Sequence, residues 1–159
     1  MSGKPANRLV AVELDDSIGR GPSPEADHER NTAIYDLIED NRFALANGTP
    51  GPYHLILSTQ EGRLVVDVRD AGQHPLMAFG LSLTPFRRIV KDYFQICDSY
   101  YEAIKLGTPA QIETVDMARR GLHNEGSEIL MERLKGKVDT DMETARRLFT
   151  LICALVWRG

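Results

Sequence analysis

The apolar positions of this chain change their period along its length. Tyr53, Leu55 and Leu57 alternate with polar or less buried neighbours, Gln60-Glu61-Gly62 marks a turn, and Leu64, Val66 and Val68 alternate back. Period-two alternation places one set of side chains on one face of an extended strand, so this segment predicts a hairpin with one buried face. Met77, Phe79, Leu81 and Leu83 repeat the period and predict a further strand of the same sheet. Upstream, Arg8 to Leu14 reads as a β-prone strand stopped by Asp15-Asp16, and Phe43 to Ala46 as a short strand before the turn-rich Asn47-Gly48-Thr49-Pro50-Gly51.

Helical periodicity appears in four places. Ser23 is positioned to cap a helix that starts at Pro24 and carries Ile34, Leu37 and Ile38 on one face to about Asn41. From Thr84 the period becomes 3.6. Thr84 reads as a cap, Pro85 as the first helical position, and Phe86, Ile89, Val90, Tyr93, Ile96, Cys97, Tyr100, Tyr101 and Ile104 line one face until Gly107. Thr108 with Gln111 has the pattern of a capping box for a third helix that runs to about Leu134, and Thr140 with Glu143 repeats it for a fourth that runs to Trp157.

These elements predict a single α+β domain over residues 1–159, with a strand-rich half (1–83) containing one helix and a three-helix block (84–159). The expected sheet is antiparallel, with about four to five strands. The first helix and the Pro85 helix are expected on its apolar face, the last two helices complete the layer, and Trp157 buries near the carboxyl end.

Composition narrows the functional classes. With 42% hydrophobic and 26% charged residues the chain has the make-up of a folded protein. Its net charge of −4, with no marked basic excess in either half, argues against non-specific nucleic-acid binding and leaves open a local arginine cluster. Cys97 and Cys153 lie far apart within apolar helical patterns and read as buried thiols of a reducing compartment. The amino-terminal residues contain no apolar run of a signal peptide, and the stretch Leu148 to Trp157 falls well short of the roughly 20 residues that span a bilayer. The expectation is a cytoplasmic protein with no membrane contact, and homo-oligomerisation is left open.

Three segments carry a family resemblance: Leu83 to Phe94, Arg119 to Gly126, and Ala145 to Ile152. Together with Ser17-Ile18-Gly19-Arg20 and His28-Glu29-Arg30, they resemble uncharacterized protein family 0262 of alphaproteobacteria. The resemblance implies a cytoplasmic bacterial protein of about this length, and it brings no catalytic residue, ligand or activity with it.

Chemistry must therefore be sought in the residues themselves. On the third helix Arg119 and Arg133 project from the stripe of Ile112, Val115, Leu122, Gly126 and Ile129. A guanidinium taken out of water needs a carboxylate, several carbonyls or a bound anion, and a structural salt bridge is the simplest of these. His123 lies one turn after Arg119, with Asp116, Arg120 and Ser127 extending a polar strip. An imidazole there could serve as general acid or base while Arg119 or Arg120 holds a phosphate-like group; a histidine simply bonded to a neighbouring element is the plainer alternative. The pair invites comparison with the arginine-to-histidine motif of HEPN ribonucleases, but only Arg120, Gly121 and Leu122 intervene where that motif usually has four to six residues.

On the first helix Asp27, Arg30 and Asn31 share the side of Ile34 and Ile38, a polar cluster facing inward. With His28, Glu29, His123 and Glu125 they lack any zinc-type spacing, so no metal is assigned. Arg87 and Arg88 occupy a first helical turn, where the helix dipole disfavours cations, so a bound anion or an acid such as Asp67 or Asp70 is expected to offset them. Gly19-Arg20-Gly21 lacks the lysine and spacing of a phosphate loop, and no motif implies a cofactor. The resulting expectation is a small regulatory or adaptor protein that binds an anionic small molecule or an acidic protein partner through Arg119, Arg120, Arg87, Arg88, Arg30 and Asp27. A hydrolase or ribonuclease using His123 with Arg119 and Arg120 is the alternative. The site is expected where the first and third helices meet the start of the Pro85 helix.

Overall fold

The computed structural model describes residues 5–156; the expectation for Trp157 lies outside them. The elements run β1 (Leu9–Leu14), α1 (Pro24–Glu39), β2 (Phe43–Leu45), β3 (Tyr53–Gln60), β4 (Arg63–Asp70), β5 (Pro75–Ser82), α2 (Thr84–Leu106), α3 (Pro109–Leu134), β6 (Val138–Thr140) and α4 (Met142–Val156). The fold is α+β, with four helices and a four-stranded sheet of order β1-β3-β4-β5.

The hairpin forms as the alternation dictates. Leu55 pairs with Val68 and Leu57 with Val66, so both apolar sets face one way. The two-residue turn between Gln60 and Arg63 places Glu61 at φ 51° and Gly62 at φ 77°, the left-handed pair that matches strand twist. β5 extends the sheet antiparallel to β4.

The sheet is mixed, which corrects the antiparallel expectation: β1 pairs parallel to β3. Parallel neighbours need a long crossover, and α1 provides it. A register shift between Leu9 and Ala11 lets Leu9 and Val12, three positions apart, both reach the core. A second, two-stranded sheet joins β2 to β6 through the antiparallel pairs Phe43–Thr140 and Leu45–Val138. Thr140 therefore belongs to a strand, and α4 is capped by Asp141, whose Oδ1 accepts from the Thr144 amide at 2.9 Å. The other caps form as read, with Ser23 Oγ accepting from Ala26 and the reciprocal Thr108–Gln111 box in place. Thr84 is the first residue of α2 and makes no side-chain cap.

The helix lying on the sheet is α4. Leu148, Leu151 and Ile152 meet Leu55, Leu57, Val66 and Leu81, with Leu130 and Leu134 of α3 beside them. This corrects the expectation that the Pro85 helix would cover the sheet. On α2 only Phe86, Ile89 and Val90 are buried, and its farther half packs on α3 with Tyr101, Ile104 and Leu106 exposed. Close approach of α3 to α4 depends on Gly126, where a Cβ would stand 2.2 Å from the Phe149 ring. Among the described residues no helix is long and apolar enough to cross a membrane.

Candidate functional site

Arg119, Arg120, His123 and Asn124 fall on neighbouring positions of α3, and the α3–α4 crossing brings Arg146 to them, with Tyr93 of α2 closing the wall. These six side chains line a depression of about 440 Å³, and none of the six is acidic.

The acids paired with these arginines do not line the depression. Asp116, one turn before Arg119, accepts from Arg119 Nη2 at 2.5 Å, and its other oxygen lies 2.6 Å from Arg120 Nη2. Bonding to Arg119, with Arg120 beside it, holds the Asp116 carboxyl below the usual carboxylate range. Arg119 also lies over the Tyr100 ring, 4.7 Å from its centroid. Arg146 donates to Glu143 at 3.0 Å and to Asn124 Oδ1 at 2.7 Å. Three guanidinium groups thus share two carboxylates, leaving excess positive charge at the depression. Nor are the guanidinium groups fully satisfied. Among the described residues the shielded side-chain nitrogens without a hydrogen-bond partner are His54 Nε2, Arg119 Nε and Arg146 Nε, two of them in this cluster.

His123 packs between the rings of Tyr93 (5.5 Å) and Phe149 (5.1 Å). Its Nε2 lies 2.8 Å from Thr150 Oγ1, and that hydroxyl donates its single proton to the Arg146 carbonyl at 3.0 Å. The hydroxyl can then only accept from the ring, so neutral His123 carries its proton on Nε2 and keeps Nδ1 as its basic nitrogen. Burial, then Arg146, then Arg119, push the imidazole pKa below its ordinary 6.5. The electrostatic influences are both cationic, with no carboxylate to orient the ring as a base.

The remaining predicted residues lie elsewhere. Arg87 rims a separate depression of about 540 Å³ beside Ser17, Thr59 and Gly62, and Arg88 is exposed with Nε 3.9 Å from Asp92. The acids named as their partners are otherwise engaged, Asp67 with Arg69 and Asp70 with His74. The start of α2 therefore does not join the α3 cluster, correcting the expected meeting point.

Arg30 is buried and donates to the carbonyls of Ala154, Leu155 and Gly19 at 3.1–3.4 Å. Carbonyls at the α4 terminus lack intrahelical partners and carry the negative end of the dipole, so they neutralise this guanidinium without a carboxylate. Asp27 Oδ1 accepts from the Gly21 amide at 2.6 Å and orders the preceding loop. Arg133 is exposed, as are His28 and Glu29; among the described residues no group of three or more His, Cys, Asp or Glu side chains is placed to hold a metal ion. The residues missed by sequence reasoning are Arg146, Asn124 and Tyr93. Arg146-Arg147 within an otherwise apolar helix was the signal that could have found the first of them.

The model of the Uncharacterised protein family (UPF0262) matches residues 6–158. The chain belongs to that family. Similar relatives are UPF0262 proteins of alphaproteobacteria. That of Hyphomonas neptunium is 59% identical over 150 residues, 94% of this chain and 93% of the relative. The Xanthobacter autotrophicus protein is 59% identical over 159 residues (98% and 96%), and the Agrobacterium fabrum protein 56% over 152 residues (96% of each). No solved structure matches the chain significantly. The family is uncharacterised and assigns this chain no activity, ligand or partner.

Proposed function

We propose that this UPF0262 member is a small cytoplasmic regulatory protein that binds an anionic, phosphate-like ligand in the depression between α2, α3 and α4. The observation that carries this reading is the all-cationic and neutral wall of Arg119, Arg120, Arg146, His123 and Asn124, with the paired acids absent from the lining. Planar guanidinium forks match tetrahedral oxyanions, and a fixed cluster avoids the cost of gathering like charges at the moment of binding. Arg119 and Arg146 would grip the anion and His123 would donate to it once protonated, since a bound negative charge favours the imidazolium.

Titration calorimetry and thermal melting with inorganic phosphate and pyrophosphate test the reading. The expected result is saturable binding that raises the melting temperature, weakened about tenfold or more by Arg146→Gln or Arg119→Gln. Failure of both anions to bind at roughly 10 mM, a concentration that would still register an affinity near 1 mM, would overturn it. Turnover of a phosphoester that disappears in His123→Gln would instead favour the hydrolase alternative.

A further inference from the structure

A second hollow, about 300 Å³, opens beside the first and shares two of its walls, Tyr93 and Arg119. Its character differs. Phe94 and Tyr101 of α2 present aromatic surface, while Glu29 of α1 and Asp98 of α2 supply its two carboxylates. Thr150, which lines this hollow, is the hydroxyl held by His123 of the first. The two hollows are thus neighbours on either side of the shared Tyr93–Arg119 wall, with cations around one and aromatic rings with acids around the other.

Resting on the anion-binding reading above, we infer that the ligand is a nucleoside phosphate, its phosphate at Arg119, Arg120 and Arg146 and its base and ribose in the Tyr101–Asp98–Glu29 hollow. Each part of that ligand answers a feature on the wall. Carboxylates reject a second anion and accept hydrogen bonds from ribose hydroxyls or exocyclic amino groups, as acids do at dinucleotide sites. A flat base covers the exposed Tyr101 ring, which at 63% exposure has surface to offer. Sugar phosphates would leave that ring uncovered, and a lipid tail would set hydrocarbon against Glu29 and Asp98. A mononucleotide also suits the combined size, since ligand pockets typically run from about 300 to 1,000 Å³.

Calorimetry on the full chain with pyrophosphate, ribose 5-phosphate and the four ribonucleoside 5′-monophosphates tests this. At least one monophosphate should bind roughly 10- to 100-fold tighter than ribose 5-phosphate, the gain of one stacked base. Tyr101→Ser, a change at a largely exposed position, should remove that advantage and leave pyrophosphate affinity unaltered. If pyrophosphate binds but no nucleotide exceeds ribose 5-phosphate, or if Tyr101→Ser keeps the nucleotide preference, the nucleotide assignment fails while anion recognition stands. If neither pyrophosphate nor any nucleotide binds, both fail together.

Discussion

Replacing Gly126 with alanine adds one methyl group where α3 crosses α4. The three nearest atoms to that methyl would all belong to the Phe149 ring, at 2.2, 2.3 and 2.7 Å, far inside van der Waals contact. Phe149 is fully buried, with the rings of His123 (5.1 Å), Phe86 (6.3 Å) and Tyr93 (6.5 Å) around it, so the ring has nowhere to turn and the helices must separate. Overpacking of this kind costs about 1–3 kcal/mol, and a clash with three ring atoms belongs at the upper end. Alanine returns about 1 kcal/mol of helix propensity, so the net loss should be about 2 kcal/mol. Gly121, five residues earlier on the same helix, is exposed, with nothing within 4 Å of an added Cβ. There the same substitution should stabilise by up to about 1 kcal/mol. Urea unfolding followed by circular dichroism measures both. In melting temperature the pair should move apart, with Gly126→Ala down about 4–8 °C and Gly121→Ala up about 2–4 °C. A Gly126→Ala protein as stable as wild type would refute the claim that glycine sets the α3–α4 distance.

Two further outcomes concern His123, beside this crossing, and Asn41, between α1 and β1. Because His123 has its pKa lowered in the folded state, the unfolded chain takes up a proton more readily. Its contribution is intact above pH 6.5 and is lost as pH falls through the depressed folded value. Unfolding free energies from pH 8 to 5 should therefore fall less in His123→Gln than in wild type, and identical slopes would sink the assignment. Asn41 is buried and ties α1 to β1, accepting from the Leu9 amide at 2.7 Å and donating to the Leu9 and Leu37 carbonyls at 3.0 and 2.8 Å. Asn41→Ala should cost about 2–3 kcal/mol in urea unfolding, since it strands buried backbone groups. A loss under about 0.5 kcal/mol, the range of ordinary surface changes, would show that water replaces the amide.

How much of this was legible depended on whether the signal was local. The Tyr53–Asp70 hairpin, the Ser23 cap and the Thr108–Gln111 box each draw on residues within a few positions of one another, and each formed as read. β6 is only three residues long, too short for a period, and exists because β2 lies beside it. The apolar face of α2 was read correctly as helical, yet a stripe of ring and aliphatic residues does not say how much of it a partner will cover. Arg119 and His123 stood out because one turn of helix joins them. Arg146 did not, because it reaches the same depression from another helix.

The sequence alone determined where the period changes, that Tyr53–Asp70 folds back as a hairpin, and that α1 and α3 are capped by Ser23 and Thr108. Tertiary structure decided that β1 runs parallel to β3, since alternation records which face a residue takes and says nothing of a neighbour's direction. It also decided which arginines are spent and which are offered. Arg30 ends on carbonyls of α4 and Arg88 in solvent beside Asp92, while Arg119, Arg120 and Arg146 converge. A cation's fate depends on the charges that packing brings within a few ångströms, and no spacing along a single helix contains that information.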